Sequence, residues 1–393
     1  MRRLAIVASH VIQYQDPFYR RLAARPELDV TVFFCSREGA EPYRDVDMGT
    51  TLQWDIEMLR GYEHRFLRNF GWGHGFFRLV NPGLIPALRH FDAVLFMTGW
   101  AWCSAWIGFA ACLLSGTPFF LYGDSSFVPA EDSLRGRVRT RVMRALFRRT
   151  HRFMISGALN AEYYKHYGAD ERRFFPLPWA IDNDRFVEGS RFAEGEREAM
   201  RARYGIAPGE LAVIYSGKLI ERKDPMTLLR ALARRSGGLQ PAGFRPAEAG
   251  RYVAVFLGEG ILREPLERFA REHGVRAAFA GFVNQTELPK HYAMGDVFVL
   301  PSHFDPRATV VNEAMACGLP VVITDRCGPS ADLVRHGENG FVFTPGDDAK
   351  LAESLDALAD PALRSRMSNR SREIIAGWSY AEGVEGVLQA MQS

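Results

Sequence analysis

Residues 301–324 read PSHFDPRATVVNEAMACGLPVVIT. Two apolar runs of strand character, Val297–Leu300 and Val321–Thr324, bracket a segment that Gly318 and Pro320 close as a helix. Counting back from that stop, the helix covers residues 308–317. Strand, helix and strand in so short a span predict a crossover between parallel strands. The segment also carries two acidic residues eight positions apart, Asp305 just ahead of the helix and Glu313 inside it. Ala308, Thr309 and Val310 supply the first N–H groups of this helix, which have no acceptor within it. A helix N-terminus at the carboxyl end of a strand is a ready anion site.

The same alternation extends through the chain. Strand patterns occur at Leu4–Ala8, Asp29–Phe34, Ala93–Met97, Phe119–Tyr122 and Phe153–Ser156, with helical patterns at Pro17–Ala24 and Ala101–Leu114. After Phe174–Glu198, a charged stretch with two prolines that has the look of an interdomain connection, the pattern restarts. It gives strands at Leu211–Tyr215, Tyr252–Leu257 and Ala277–Ala280 and a helix at Pro225–Arg235. Two doubly wound α/β units are therefore expected, each a parallel sheet covered by helices. A length of 393 residues agrees with two domains.

Net charge is only +3, which does not suggest a nucleic-acid binder. It is unevenly spread: residues 1–190 carry 24 Lys and Arg against 20 Asp and Glu, and the remainder 25 against 26. The five cysteines are scattered, without metal-ligand spacing, as expected of free thiols in a reducing compartment. The apolar run after the two N-terminal arginines is too short for a signal peptide, and Ala101–Leu114 is too short to cross a bilayer. A cytoplasmic location is expected, with no metal and no cofactor.

A second motif lies at Tyr215–Asp224, YSGKLIERKD. A strand ends at Tyr215, Gly217 allows a tight approach, and Lys218 and Lys223 follow. Fixed cations at a strand end suit a diphosphate when no metal is present. Taken alone, the lysines read as solvated loop residues, Asp305 as a helix-end charge complement and Glu313 as a surface helix residue.

The string EAMACGLPVV, with Asp305 seven residues ahead of its glutamate's predecessor, resembles the signature of family 4 retaining glycosyltransferases. The basic turn resembles the same family's G-[RK]-L-x-x-x-K motif. The resemblance implies that Glu313 binds donor ribose, that Asp305 contacts the donor sugar, and that Lys218 and Lys223 clamp the pyrophosphate. It extends to Gly258 in Gly258–Gly260 and to Gly281, Phe282 and Val283, which would line the nucleotide base. Three departures stand out: Asp305 replaces the usual Glu, and Arg307 and Ala308 stand where an aromatic and a Gly are common. Ala308 is expected to keep its N–H available to phosphate, alongside Thr309 and Val310.

In the first half, SHVIQYQ at residues 9–15 resembles the opening of a bacterial branch of the family, which makes His10, Gln13 and Gln15 candidates for the acceptor or cleft. Asp124, after the strand Phe119–Tyr122, is a catalytic candidate beside a helix-cap alternative. Eight arginines between Arg135 and Arg152, with Val138, Val142, Ala145 and Leu146 at helical spacing, predict a basic amphipathic helix. It is readable as a solvated face or as a peripheral contact with anionic membrane. Phe70–Phe77 would be an apolar acceptor loop.

By this resemblance the fold is GT-B: two facing Rossmann-like domains around a cleft, at residues 1–185 and 200–375, with residues 376–393 as a helix crossing back. The activity implied is transfer of a sugar from a UDP- or GDP-sugar to a glycan, lipid-linked or small-molecule acceptor. A nucleotide-sugar epimerase and a non-catalytic sugar-nucleotide-binding subunit remain open alternatives.

Overall fold

The computed structural model describes residues 1–123, 125, 133–235 and 252–393. Asp124 and the Gly- and Pro-bearing stretch 236–250 lie outside the described residues. The chain forms two compact units. One comprises residues 1–43, 56–181 and 378–393; the other comprises residues 44–55 and 182–377.

In chain order the first elements are β1 (Arg2–Ala8), α1 (Asp16–Ala23), β2 (Leu28–Phe34), β3 (Tyr43–Asp45), β4 (Thr50–Leu52), β5 (Glu63–Phe66), α2 (Leu84–Leu88) and β6 (Ala93–Phe96). Then come α3 (Cys103–Ser115), β7 (Phe119–Tyr122), α4 (Leu134–Arg149), β8 (Arg152–Ile155), α5 (Ala158–His166) and β9 (Phe174–Pro176). The first unit is a parallel sheet in the order β5-β2-β1-β6-β7-β8-β9. Its inner strands are buried on both faces, which explains their continuous apolar runs. One face packs on α1 and the C-terminal helix through Phe18, Tyr19, Val384 and Leu388, and the other on α2 to α5 through Leu88, Phe109, Phe147 and Tyr164.

The second unit continues with α6 (Asn183–Gly189), α7 (Glu196–Arg203), β10 (Leu211–Ser216), α8 (Pro225–Arg235), β11 (Tyr252–Leu257), α9 (Arg263–Glu272), β12 (Ala277–Gly281), α10 (Leu288–Ala293), β13 (Val297–Leu300), α11 (Thr309–Ala316) and β14 (Val321–Thr324). It ends with α12 (Pro329–Asp332), β15 (Gly340–Phe343), α13 (Asp348–Ala357) and α14 (Pro361–Ala376). The helix α15 (Tyr380–Gln392) returns to the first unit, where Trp378 Nε1 donates to Trp179 O at 2.9 Å. The second sheet runs β12-β11-β10-β13-β14-β15, all parallel. The ribbon β3–β4 groups with this unit through residues 44–55.

Phe174–Glu198 departs from the expected irregular connection. Phe174–Pro176 pairs with β8, and α6 and α7 follow. Helix α7 is fixed by Arg201, whose guanidinium bonds Asp296 Oδ2 at 2.9 Å and the carbonyls of Met294 and Glu210. The strand is too short, and too close to a proline, to show a period-two pattern.

Candidate functional site

Each sheet reverses its strand order once. In the second sheet the reversal lies between β10 and β13, and ligands of open α/β sheets bind in the crevice that the carboxyl ends form there. The loops leaving these two strands carry the two sequence motifs: Gly217–Asp224 after β10 and Pro301–Ala308 after β13.

The β10 loop is built by close backbone contact. A Cβ on Gly258 would lie 2.0 Å from Gly217 O, and Gly258 sits at φ 151°, so only glycine fits. Gly217 N donates to Leu257 O at 3.0 Å and Leu219 N to Glu259 O at 2.9 Å, while Gly258 bridges Gly281 at the end of β12. Gly217, Gly258 and Gly281 thus form one seam of three loops. Phe282 and Val283 follow it, both partly exposed.

The two motif loops are joined directly. Arg222 Nη1 donates to Phe304 O at 2.8 Å, His303 N donates to Arg222 O at 3.0 Å, and Lys223 pairs with Asp305. The Lys223 and Asp305 side chains are 14% and 8% exposed, a largely desolvated pair. The other carboxylate oxygen of Asp305 accepts from Ala308 N at 3.1 Å. Asp305 therefore serves as the helix-end acceptor for α11, and the Ala308 N–H expected to face phosphate is taken. Ala308 is also left-handed at φ 40°, a conformation that glycine adopts at less cost. Thr309 and Val310 occupy the first turn of α11, partly exposed.

Glu313 is buried, contrary to a surface-helix reading. Tyr292 of α10 donates its hydroxyl to Glu313 Oε2 at 2.7 Å. Burial pushes the Glu313 carboxyl up to about 7, against the Tyr292 hydrogen bond and the charge of Arg185. Arg185 in turn is held by Gln285 through two bonds of 2.6 Å.

Lys218 does not stand free. Its Nζ lies 2.9 Å from Asp45 Oδ1 and 2.9 Å from Asp47 Oδ2, both on the ribbon segment that groups with this unit. Burial works against its charge, and the two carboxylates outweigh it and raise its pKa. Lys218 holds the Asp47 carboxyl below its usual range. Tyr292, Arg185, Asp45 and Asp47 carry no motif, and nothing in their local sequence marked them.

In the first unit the order reverses between β1 and β6. Ser9, His10 and Gln13 follow β1 and are partly exposed, with Ser9 Oγ 2.9 Å from His10 Nδ1. Gln15 differs from the expectation: it is buried, and its Oε1 accepts from the Tyr19 hydroxyl at 2.8 Å. A pocket beside this loop is lined by Tyr14, Gln15, Phe18, Met97, Tyr122 and Trp179, the last two rings stacked at 5.5 Å. Phe70 and Trp72 are exposed, and Trp72 stacks on Phe77 at 5.3 Å. Among the described residues no helix is long and apolar enough to cross a membrane.

Residues 196–374 match the family model "Glycosyl transferases group 1". D-inositol 3-phosphate glycosyltransferase of Geodermatophilus obscurus is 32% identical over 228 residues, 57% of this chain and 48% of that protein. Lipopolysaccharide core biosynthesis glycosyltransferase LpsE of Rhizobium meliloti is 33% identical over 191 residues, 47% of this chain and 51% of that protein. The chain thus spans about half the length of the relatives it matches. In three dimensions Anabaena Alr3699/HepE, solved in complex with UDP, superposes over 100% of both chains with a TM-score of 0.74 at 17% identity. Residues 196–374 thus resemble the group 1 glycosyltransferases, and the chain shares the GT-B fold of Anabaena Alr3699/HepE, built from two Rossmann-like units.

Proposed function

We propose that this protein transfers a sugar from a nucleoside-diphosphate sugar to a glycan or lipid-linked acceptor, with retention of anomeric configuration. One observation carries the reading: on either side of a single sheet switch point, the loop after β10 holds two lysines, Lys218 and Lys223, and the helix after β13 holds a buried carboxylate, Glu313. Glu313 would accept from the ribose hydroxyls. Lys218 and Lys223 would meet the diphosphate, beside the first turn of α11 at Thr309 and Val310. As the glycosidic bond breaks, negative charge grows on the leaving phosphate, and preplaced ammonium groups stabilise it more than the ground state. No separate base is required of the protein in this scheme. UDP in the structural neighbour and the lipopolysaccharide-core name of one relative support the donor and acceptor classes.

A thermal-shift series with UDP, GDP and ADP tests the donor, since a ligand that binds only the native state raises its stability. At least one is expected to raise Tm. No shift with any of them, together with no turnover of the corresponding nucleotide sugars, would overturn the reading.

The protein is further proposed to work at the cytoplasmic face of an anionic membrane. Leu134, Val138 and Val142 form a row along α4, at 72%, 49% and 41% exposure, among arginines with no acidic residue in the helix. Such a face suits an anionic lipid surface. Flotation with phosphatidylglycerol vesicles at low salt is expected to carry the protein upward, and recovery in the soluble fraction would refute this.

A further inference from the structure

Residues 44–55 belong to the second unit by their packing, although the residues before and after them in the chain belong to the first. The segment forms a ribbon whose tip is a tight turn: Met48 N donates to Asp45 Oδ1 at 3.0 Å and Gly49 N to Asp45 O at 2.9 Å. That turn presents Asp45 and Asp47 together, and each puts a carboxylate oxygen 2.9 Å from Lys218 Nζ. The other end is fastened beside the β12 loop. Asn284 Nδ2 donates to Gln53 O at 2.7 Å, Thr286 N donates to Asp55 Oδ1 at 3.2 Å, and Trp54 packs on Phe282 with ring centroids 6.0 Å apart.

We infer that residues 44–52 are an autoinhibitory strap, whose two carboxylates occupy the diphosphate position at Lys218 and leave it when donor binds. The inference rests on the reading of Lys218 as a diphosphate contact. Two carboxylates two residues apart present anionic oxygens to one ammonium, as a diphosphate does. Phosphate oxygens cannot join them at the same nitrogen without close repulsion between like charges. The two ends of the segment are unequal. The 53–55 end is held by hydrogen bonds from Asn284 and Thr286 and by an aromatic contact, whereas the tip is held to this loop by ionic bonds, with the Asp45 side chain 12% and that of Asp47 56% exposed. The exposed Asp47 pair is weak, and a diphosphate offers Lys218 the same anionic oxygens that Asp45 does, so the tip can exchange for a ligand while the base stays fastened. The lysine is thereby kept charged and in place in the donor-free protein.

The test is calorimetric titration of UDP, and of inorganic pyrophosphate as a base-free probe, into the whole chain and its D45N/D47N and K218A variants. Asparagine keeps an oxygen for Met48 N, so the turn survives while the charges go. D45N/D47N is expected to bind both probes about threefold to thirtyfold tighter, the range for release of two partly exposed ion pairs. K218A is expected to weaken both. Hydrogen exchange at residues 44–52 is expected to speed up when UDP is added to wild type, whereas a strap that merely covers the ligand would slow. If K218A weakens binding but D45N/D47N binds no better and exchange does not rise, the strap is wrong and the lysine contact stands. If K218A binds both probes as wild type does, the lysine contact fails and the strap with it.

Discussion

The Tyr292 hydroxyl lies 2.7 Å from Glu313 Oε2, and both side chains are buried. A hydrogen bond to the ionised carboxylate opposes the desolvation that favours its neutral form. Desolvation wins, and the carboxyl sits at about 7 against an ordinary value of 4.5. Because the folded pKa is raised, the stability contributed by the bound proton is complete below about pH 4.5 and is lost as pH rises through about 7. The full swing is roughly 3 kcal/mol from the size of that shift. E313Q, neutral at every pH, is expected to flatten the urea-unfolding free energy between pH 5 and 7.5, and an unchanged slope would show that another group carries it. Ribose hydroxyls donate to a carboxylate, so donor binding at pH 6.5 should also release protons from wild type and none from E313Q. Titrations in buffers of different ionisation enthalpy read that difference.

Lys223 and Asp305 neutralise each other in a largely buried pair, and Asp305 also accepts from Ala308 N at the start of α11. Removing one member leaves the other buried and uncompensated. K223A is expected to destabilise the protein by about 3 kcal/mol or more. D305N keeps an oxygen for Ala308 N and should cost less than D305A, which loses the helix-end acceptor as well, worth about 1 kcal/mol. Equal losses for D305N and D305A in chemical denaturation would remove the capping role.

The sheet and the α11 segment were readable because their signals are local. Gly318 and Pro320 stop α11, and its observed bounds, Thr309–Ala316, lie within one residue of those counted back from that stop. β5 and β15 escaped notice because both are edge strands without a fully buried apolar run: β5, EHRF, has alternate residues exposed, and the two middle residues of β15, GFVF, are partly exposed. The partners that define the site were not readable, for a different reason. Asp45 and Asp47 meet Lys218 across 173 and 171 residues, and Tyr292 meets Glu313 from another helix. The Asp305–Lys223 pair was hidden by its own plausibility, since each residue had a separate donor contact assigned to it. Only the packing of the two loops shows that they bind each other.

Helix α4 shows how far periodicity carries. Val138, Val142 and Leu146 are spaced as one stripe, yet four-residue steps rotate by about 40° each on a 3.6-residue helix. Leu146 has turned onto the buried face with Met143 and Phe147, while Leu134, Val138 and Val142 remain outside. The exposed row can therefore be changed without touching the core. L134S/V138S/V142S is expected to leave Tm within about 2 °C of wild type, as exposed substitutions usually do. It should nevertheless abolish flotation with phosphatidylglycerol vesicles at any salt. Replacing Arg137, Arg141 and Arg148 by Gln should weaken flotation most at low salt, where charge attraction is least screened. If the serine variant floats as wild type does, the apolar row is an ordinary solvated surface and α4 does not enter the lipid interface.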